Sequence, residues 1–164
     1  VSDESYLEIA KARRNWKTEH LDRYLRSGGA EGHIVDVSDI GGHKFNTTLL
    51  LRYVGRKSGR TIITPLNYGD IGGEVVVVAS KGGADHHPAW YLNIKESREL
   101  AFQIATQAFR AVWREPRGEE RSRVWDFMVS VFPPYRNYQA STTREIPLVM
   151  MMPIEPIEVF KAIP

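Results

Sequence analysis

Residues 47–80 read TTLLLRYV, GRKSGR, TIITPLNY, GDIGG, EVVVVAS, and this stretch decides the fold. Three short segments, 47–54, 61–68 and 74–80, are rich in β-branched and aromatic residues, the side chains that suit a pleated surface. Each pair is divided by a turn signal, first Gly55-Arg56-Lys57-Ser58-Gly59-Arg60 and then Gly69-Asp70-Ile71-Gly72-Gly73. The pattern predicts an antiparallel meander.

Working outward toward the C-terminus, a helix is expected from Pro88 to about Ser97, because proline suits a first turn where its missing N–H costs nothing. Asp85 or His87 is positioned in sequence to cap it. Residues 100–104 and 108–114 then predict two more strands. Residues 118–131 predict an amphipathic helix with Val124, Trp125, Phe127, Met128 and Val131 on its apolar side and Glu119 and Glu120 in its first turn, where the helix dipole favours them. Residues 133–143 read as a polar, tyrosine-bearing connection and 146–152 as a closing strand. Toward the N-terminus, Ile9, Trp16, Leu21, Tyr24 and Leu25 recur at helical spacing over residues 3 to about 27, and Gly28-Gly29 ends the pattern. The other face of that helix carries Lys11, Arg13, Arg14, Lys17 and Arg23, which reads as a solvated face or, alternatively, as a surface for acidic lipid or a partner. The order of elements gives an α+β class, mainly β: a small antiparallel barrel with peripheral helices.

Composition narrows the chemistry. A chain of 164 residues has the size of one domain, taken here as 1–164, with a core that needs no metal or disulfide, and it should fold alone or as a homodimer. The absence of cysteine removes disulfides, thiolate nucleophiles, iron–sulfur clusters and cysteine-bound zinc together. No basic segment followed by an apolar core opens the sequence, and the longest purely aliphatic run is Val75 to Val78, so a cytoplasmic location is expected. A formal charge of +2 is too small to imply a nucleic-acid partner. No Gly-x-Ser-x-Gly elbow, dinucleotide Gly-x-Gly-x-x-Gly fingerprint or Walker loop occurs, so a bound cofactor is expected to carry any difficult step.

Three segments could serve it. Arg56, Lys57 and Arg60 place three cations beside Ser58 between two glycines, which reads as an anion site or as an ordinary charged hairpin. Ala79-Ser80-Lys81-Gly82-Gly83 leaves a strand and leads through Asp85-His86-His87-Pro88 into a helix, a second place for an anion or a polar ring edge, or simply a diglycine loop with a surface lysine. Adjacent His86 and His87 seldom converge on one ion, and no metal is expected. Behind a diproline, Tyr135 and Tyr138 either present phenols to a pocket or pack.

Taken in order, Thr48-Leu49-Leu50-Leu51, Gly55-Arg56-Lys57-Ser58-Gly59, Thr64-Pro65-Leu66, Ala79-Ser80-Lys81-Gly82-Gly83-Ala84 and His87-Pro88-Ala89-Trp90-Tyr91-Leu92-Asn93 resemble the deazaflavin-dependent nitroreductase and quinone reductase family. The likeness continues through Phe132-Pro133-Pro134-Tyr135-Arg136-Asn137-Tyr138-Gln139 and Thr142-Thr143-Arg144-Glu145-Ile146-Pro147, covering roughly 45–155. It implies a split β-barrel and coenzyme F420 as hydride donor, with FMN or haem, or binding without turnover, as the alternatives on such a barrel. By resemblance, Arg56, Lys57, Ser58, Arg60 and Lys81 with Gly82 and Gly83 would hold the phosphate and acidic tail. Pro65, Asn67, Ala79, Ser80, Trp90 and Tyr91 would surround the ring. Ser80, Tyr135 and Tyr138 would polarise the acceptor oxygen of an electron-poor quinone, nitroaromatic or activated enone. Some family members carry a tyrosine and an aromatic where this chain has Phe132 and Asn67, departures that bear on the substrate more than on the cofactor.

Overall fold

The computed structural model describes residues 16–162. Helix α1 occupies residues 16–26 of that range, and the rest of the expected N-terminal helix, with Lys11, Arg13 and Arg14, lies outside the described residues. Left-handed Gly28 and Gly29 follow α1, with φ of 62° and 90°, as the diglycine stop requires. The strands are β1 (Ile34–Val35), β2 (Asn46–Val54), β3 (Thr61–Asn67), β4 (Gly69–Ile71), β5 (Glu74–Val78), β6 (Leu100–Ile104), β7 (Gln107–Arg114) and β8 (Leu148–Ile157). Helix α2 (Ala89–Ser97) lies between β5 and β6, and α3 (Gly118–Val131) and α4 (Pro134–Ala140) lie between β7 and β8.

All pairings are antiparallel, in the order β3-β2-β6-β7-β8-β5-β4, with β1 against the start of β2. The two ends of this order, β3 and β4, are consecutive in the chain and separated by Tyr68 alone. A single extended run, 61–71, therefore pairs first with β2 and then with β5, which curls the sheet into a split barrel.

That arrangement corrects the meander. β2 and β3 pair as expected, with Leu50 opposite Pro65, but β5 bonds to β4 and β8 rather than to β3. Gly69-Asp70-Ile71, read as a turn, is a strand; the turn itself is only Gly72-Gly73, both at positive φ, the requirement of a two-residue hairpin. Asp70 Oδ1 accepts the Gly73 N–H at 3.0 Å and fixes it. The closing strand runs to Ile157 instead of stopping at Met152. Past Met151, β8 pairs only with β7, whose register slips at Arg110/Ala111, so Pro153 and Pro156 break no ladder toward β5.

Two further corrections concern proline and capping. The supposed connection after Pro133 is helical over α4, because Pro134 occupies a first-turn position, whereas Pro88, expected in the first turn of α2, sits just before it as the extended N-cap. Neither Asp85 nor His87 caps α2, whose N-cap is Pro88 with no side-chain cap bond; their side chains are engaged with His86 and Arg144.

Both faces of β5 are covered, which is why Val75 to Val78 are all buried in one unbroken apolar run. Inside the barrel, Leu49, Leu51, Val75, Val77, Val149 and Met151 meet Trp90, Tyr91 and Ile94 of α2. Outside, Val76, Val78, Leu148 and Met150 pack under Val124, Met128, Phe132 and Tyr135 of the α3–α4 layer. On another stretch of the outer face, Leu50, Ile63, Ala101 and Ala108 receive Tyr24 of α1 and Phe160. The Tyr24 hydroxyl is buried between Thr48 O at 3.1 Å, Gln103 O at 3.3 Å and the Ala105 N–H, which donates to it at 2.8 Å.

Candidate active site

The cationic hairpin is held from within and from beneath. Gly55 N–H donates to Arg60 O at 2.8 Å, Gly59 N–H to Gly55 O at 2.9 Å, and Arg60 N–H to Ser58 Oγ at 3.1 Å, so Ser58 is engaged in shaping its own turn. The Arg56 backbone N–H and Nη1 both donate to Oδ1 of buried Asn93, at 3.0 and 2.8 Å, which pins the hairpin to α2. Lys57 and Arg60 are exposed, and among the described residues neither takes part in an ion pair. Two cations are thus left facing water.

The loop after β5 has an unusual backbone. Lys81, Gly82 and Gly83 are successively left-handed, with φ of 46°, 63° and 84°. Gly83 is also a contact point: a Cβ there would come within 2.8 Å of Tyr138 O and 2.9 Å of Tyr138 Cα in α4. Gly82 faces open space. Lys81 Nζ stands 2.7 Å from His86 Nε2, and His86 Nδ1 stands 2.9 Å from Asp85 Oδ1. An ammonium can only donate, so Nε2 is the acceptor and Nδ1–H donates onward to the carboxylate, which that contact holds below the usual range.

A residue to which the sequence reading assigned no role organises this loop. Arg144 donates from Nε to Ala84 O at 2.8 Å, from Nη2 to Ser80 O at 2.8 Å, and from Nη1 to Ala79 O at 3.3 Å and to His87 Nδ1 at 3.0 Å. His87 therefore accepts at Nδ1 and carries its proton on Nε2, and burial followed by the neighbouring Arg144 and Lys95 charges depresses its pKa.

On the α4 side, Tyr135 is buried, with its phenol beside the Asn67 side chain, which partly offsets the effect of burial on its acidity. Burial drives its pKa upward and keeps it neutral. Asn67 Oδ1 in turn accepts from Asn46 Nδ2 at 2.7 Å. Tyr138, half-buried, has its ring centroid 6.3 Å from those of Tyr135 and Phe132. Pro65 lies two residues before Asn67 on the same face of β3. Trp90 and Tyr91 are buried in the barrel interior, edge to face at 6.2 Å, and the Tyr91 hydroxyl donates to Glu115 Oε1 at 2.7 Å, a partner the sequence did not suggest.

The structure thus brings Ser80 to Gly83 against Tyr138, and Tyr135 against Asn67, while the hairpin joins them only through α2. A cavity of about 750 Å³ lies elsewhere, between α1 and residues 29–36, and none of the expected site residues lines it. A smaller one of about 250 Å³ runs along His87, Tyr91, Glu115 and Arg117 beside the loop. Among the described residues no three of His, Cys, Asp and Glu form a metal-holding group.

Comparison with known proteins gives the family and the fold. The sequence profile described as F420H(2)-dependent quinone reductase matches residues 16–153. An F420H(2)-dependent quinone reductase of Mycobacterium tuberculosis is 31% identical over 107 residues, spanning 63% of this chain and 72% of the relative. A solved F420-H2 dependent reductase, FDR-A, superposes with a TM-score of 0.59 at 36% identity, covering 63% of this chain and 92% of its own. A further solved structure, described as a domain-swapped dimer, superposes at 0.62 with 33% identity, covering 85% of this chain and 98% of its own. The chain belongs to the F420H(2)-dependent quinone reductase family, oxidoreductases built on the split β-barrel.

Proposed function

We propose that this chain passes a hydride from F420H2 to an electron-poor acceptor, with quinones as the first class and nitroaromatics or activated enones as further ones. The observation that carries the reading is the pair of unpartnered cations, Lys57 and Arg60, on a hairpin anchored to α2, the helix that follows the left-handed Lys81-Gly82-Gly83 loop in the chain. Leaving cations in water costs little, and each becomes a charge-assisted bond when a phosphate or carboxylate arrives. The donor set fits a long acidic tail. Arg56, Lys57, Arg60 and Lys81 hold it, Ser58 keeps the turn that aims them, and the open side of Gly82, with Gly83 seated on α4, lets the backbone approach closely.

When bound, the deazaflavin supplies the hydride. Pro65, Asn67, Ala79 and Ser80 border its ring in this reading, backed by Trp90 and Tyr91 from within the barrel. Tyr138 and Ser80 polarise the acceptor oxygen, and buried Tyr135 holds the Asn67 amide in place as well as closing the substrate side. Burial keeps the Tyr135 phenol neutral, so it serves as a hydrogen-bonding group rather than as a charged one.

The functional unit is read as a homodimer, supported by the dimeric relative and by exposed Val112, Met152 and Ile154 on adjoining strands. Membrane contact through the basic face of α1 would rest on exposed Lys17 and Arg23; no helix among the described residues is long and apolar enough to cross a membrane. The test titrates the purified chain with F420, FMN and FAD by fluorescence, then offers menadione with F420H2 or NADPH. Selective, salt-sensitive F420 binding and F420H2-dependent turnover are expected; rapid NADPH oxidation without deazaflavin overturns the reading.

A further inference from the structure

We infer that Arg144 is a positioning residue of the cofactor site: its guanidinium, donating to the carbonyls of Ala79, Ser80 and Ala84, holds the 79–84 loop in the shape that presents Ser80, Lys81 and Gly82 to the bound cofactor. The inference rests on the reading of that loop as a cofactor site.

The loop needs such a centre. Three left-handed residues in succession are costly, two of them affordable only because they are glycine, and the turn aims three carbonyl oxygens at one region. Converging carbonyl dipoles repel one another. A planar guanidinium with five donors in a fixed fork relieves that repulsion and spans all three oxygens at once; a single ammonium does not.

Arg144 is also held ready for the task. Gln139 of α4 donates through Nε2 to Arg144 O at 2.8 Å and accepts the Ile146 N–H at Oε1 at 2.9 Å, so the backbone on both sides of Glu145 is clamped to α4. Ser141 Oγ, at the end of the same helix, donates to Gly83 O at 3.1 Å. No carboxylate lies within ion-pair distance of Arg144 among the described residues. Its half-buried charge is answered by carbonyls and by the His87 ring, an arrangement that serves loop shape rather than ion pairing. His87 faces Arg144, Lys95, Glu115 and the Tyr91 ring; burial first, and then the Arg144 charge at Nδ1, favour its neutral form.

The test compares the full chain with Arg144→Lys, which keeps the charge, and Arg144→Gln, which removes it. Both should raise the F420 dissociation constant at least tenfold, with the lysine variant failing to restore affinity, and kcat at saturating F420H2 should fall as well because Ser80 moves with the loop. Amide exchange at Gly83 and Ala84 should accelerate, and the His87 titration followed by NMR should move to higher pH. If the native chain itself does not bind F420, the proposed function fails; the exchange and His87 readouts still decide whether Arg144 shapes the loop. If either variant does not fold, Gln139→Ala supplies the measurement, with the same losses expected in smaller degree. Arg144→Lys, or Gln139→Ala in its place, with native affinity and native exchange at Gly83 and Ala84 overturns the inference.

Discussion

The backbone N–H and the Nη1 of Arg56 both end on one atom, Oδ1 of Asn93, at 3.0 and 2.8 Å. Three groups that could each have faced water are instead joined where the cationic hairpin meets α2. The hairpin cations therefore divide into an anchor, Arg56, and two free arms, Lys57 and Arg60. Lys57→Ala combined with Arg60→Ala should weaken F420 binding at least tenfold, more at low salt than at high, with an unchanged melting temperature. Arg56→Ala should weaken binding and also cost stability, about 1 kcal/mol for the lost Nη1 bond, since Asn93 Oδ1 keeps the backbone N–H of residue 56. Fluorescence titration beside urea denaturation separates the two, and identical behaviour of the variants would refute the division.

Adjacent glycines should respond differently to the same methyl group. Gly82→Ala meets nothing and suffers only its positive φ, about 1–2 kcal/mol. Gly83→Ala suffers that and a Cβ forced to 2.8 Å from Tyr138 O, so its loss should be clearly larger and accompanied by displacement of α4. Equal losses in chemical denaturation would contradict the close packing of Gly83 on that helix.

The two tyrosines of α4 should separate in the same way. Tyr138→Phe is expected to lower kcat several-fold with little change in cofactor affinity. Tyr135→Phe should lower kcat too, and in addition destabilise the fold by about 1–2 kcal/mol, because the half-buried Asn67 amide beside the buried phenol loses a polar neighbour. Steady-state kinetics with two acceptors and a denaturation curve for each variant check both statements. Full turnover in both would make the phenols packing groups.

Alkaline pH should expose the buried phenols. Burial pushes the Tyr24 pKa up to about 12, against about 10 in the unfolded chain, and Tyr91 and Tyr135 shift in the same direction. With folded values above unfolded ones, the stabilisation is complete below pH about 10 and drains away as pH rises toward the folded values, by about 1.4 kcal/mol per pH unit for each phenol. Tyr24→Phe should flatten this decline between pH 10 and 12 while lowering stability at neutral pH through the orphaned Ala105 N–H. A parallel decline in native and variant proteins would disprove the Tyr24 share.

What could be read from the sequence follows from what is local in it. β2, β3 and β5 declare themselves because β-branched runs are separated by glycine turns, and α3 because its apolar residues recur on one face. The Arg-Lys hairpin and the Ser-Lys-Gly-Gly loop are equally legible, since glycines and cations are contiguous. β4 is hidden because it is three residues long and looks like the turn it adjoins. α4 is hidden because a diproline suggests a linker until the chain direction shows it to be a first turn. Arg144 leaves no local trace at all: its partners are carbonyls about sixty residues away, and any residue type can supply a carbonyl.

The passage of one extended run from β2 to β5 leaves the β5–β8 seam as the last join of the barrel, and Val75 to Val78 must wait for Leu148 to Met151 before they are paired on that side. Contacts so distant in sequence form late, after the local hairpins and helices. The 79–84 loop hangs from the end of β5, and its fastening residue, Arg144, arrives on the approach to β8. Fastening of the 79–84 loop and completion of the barrel are thus linked, so if this loop holds the cofactor as proposed, a newly made chain that captures it is one whose final strand has already been laid, and ligand binding reads out maturity as well as chemistry.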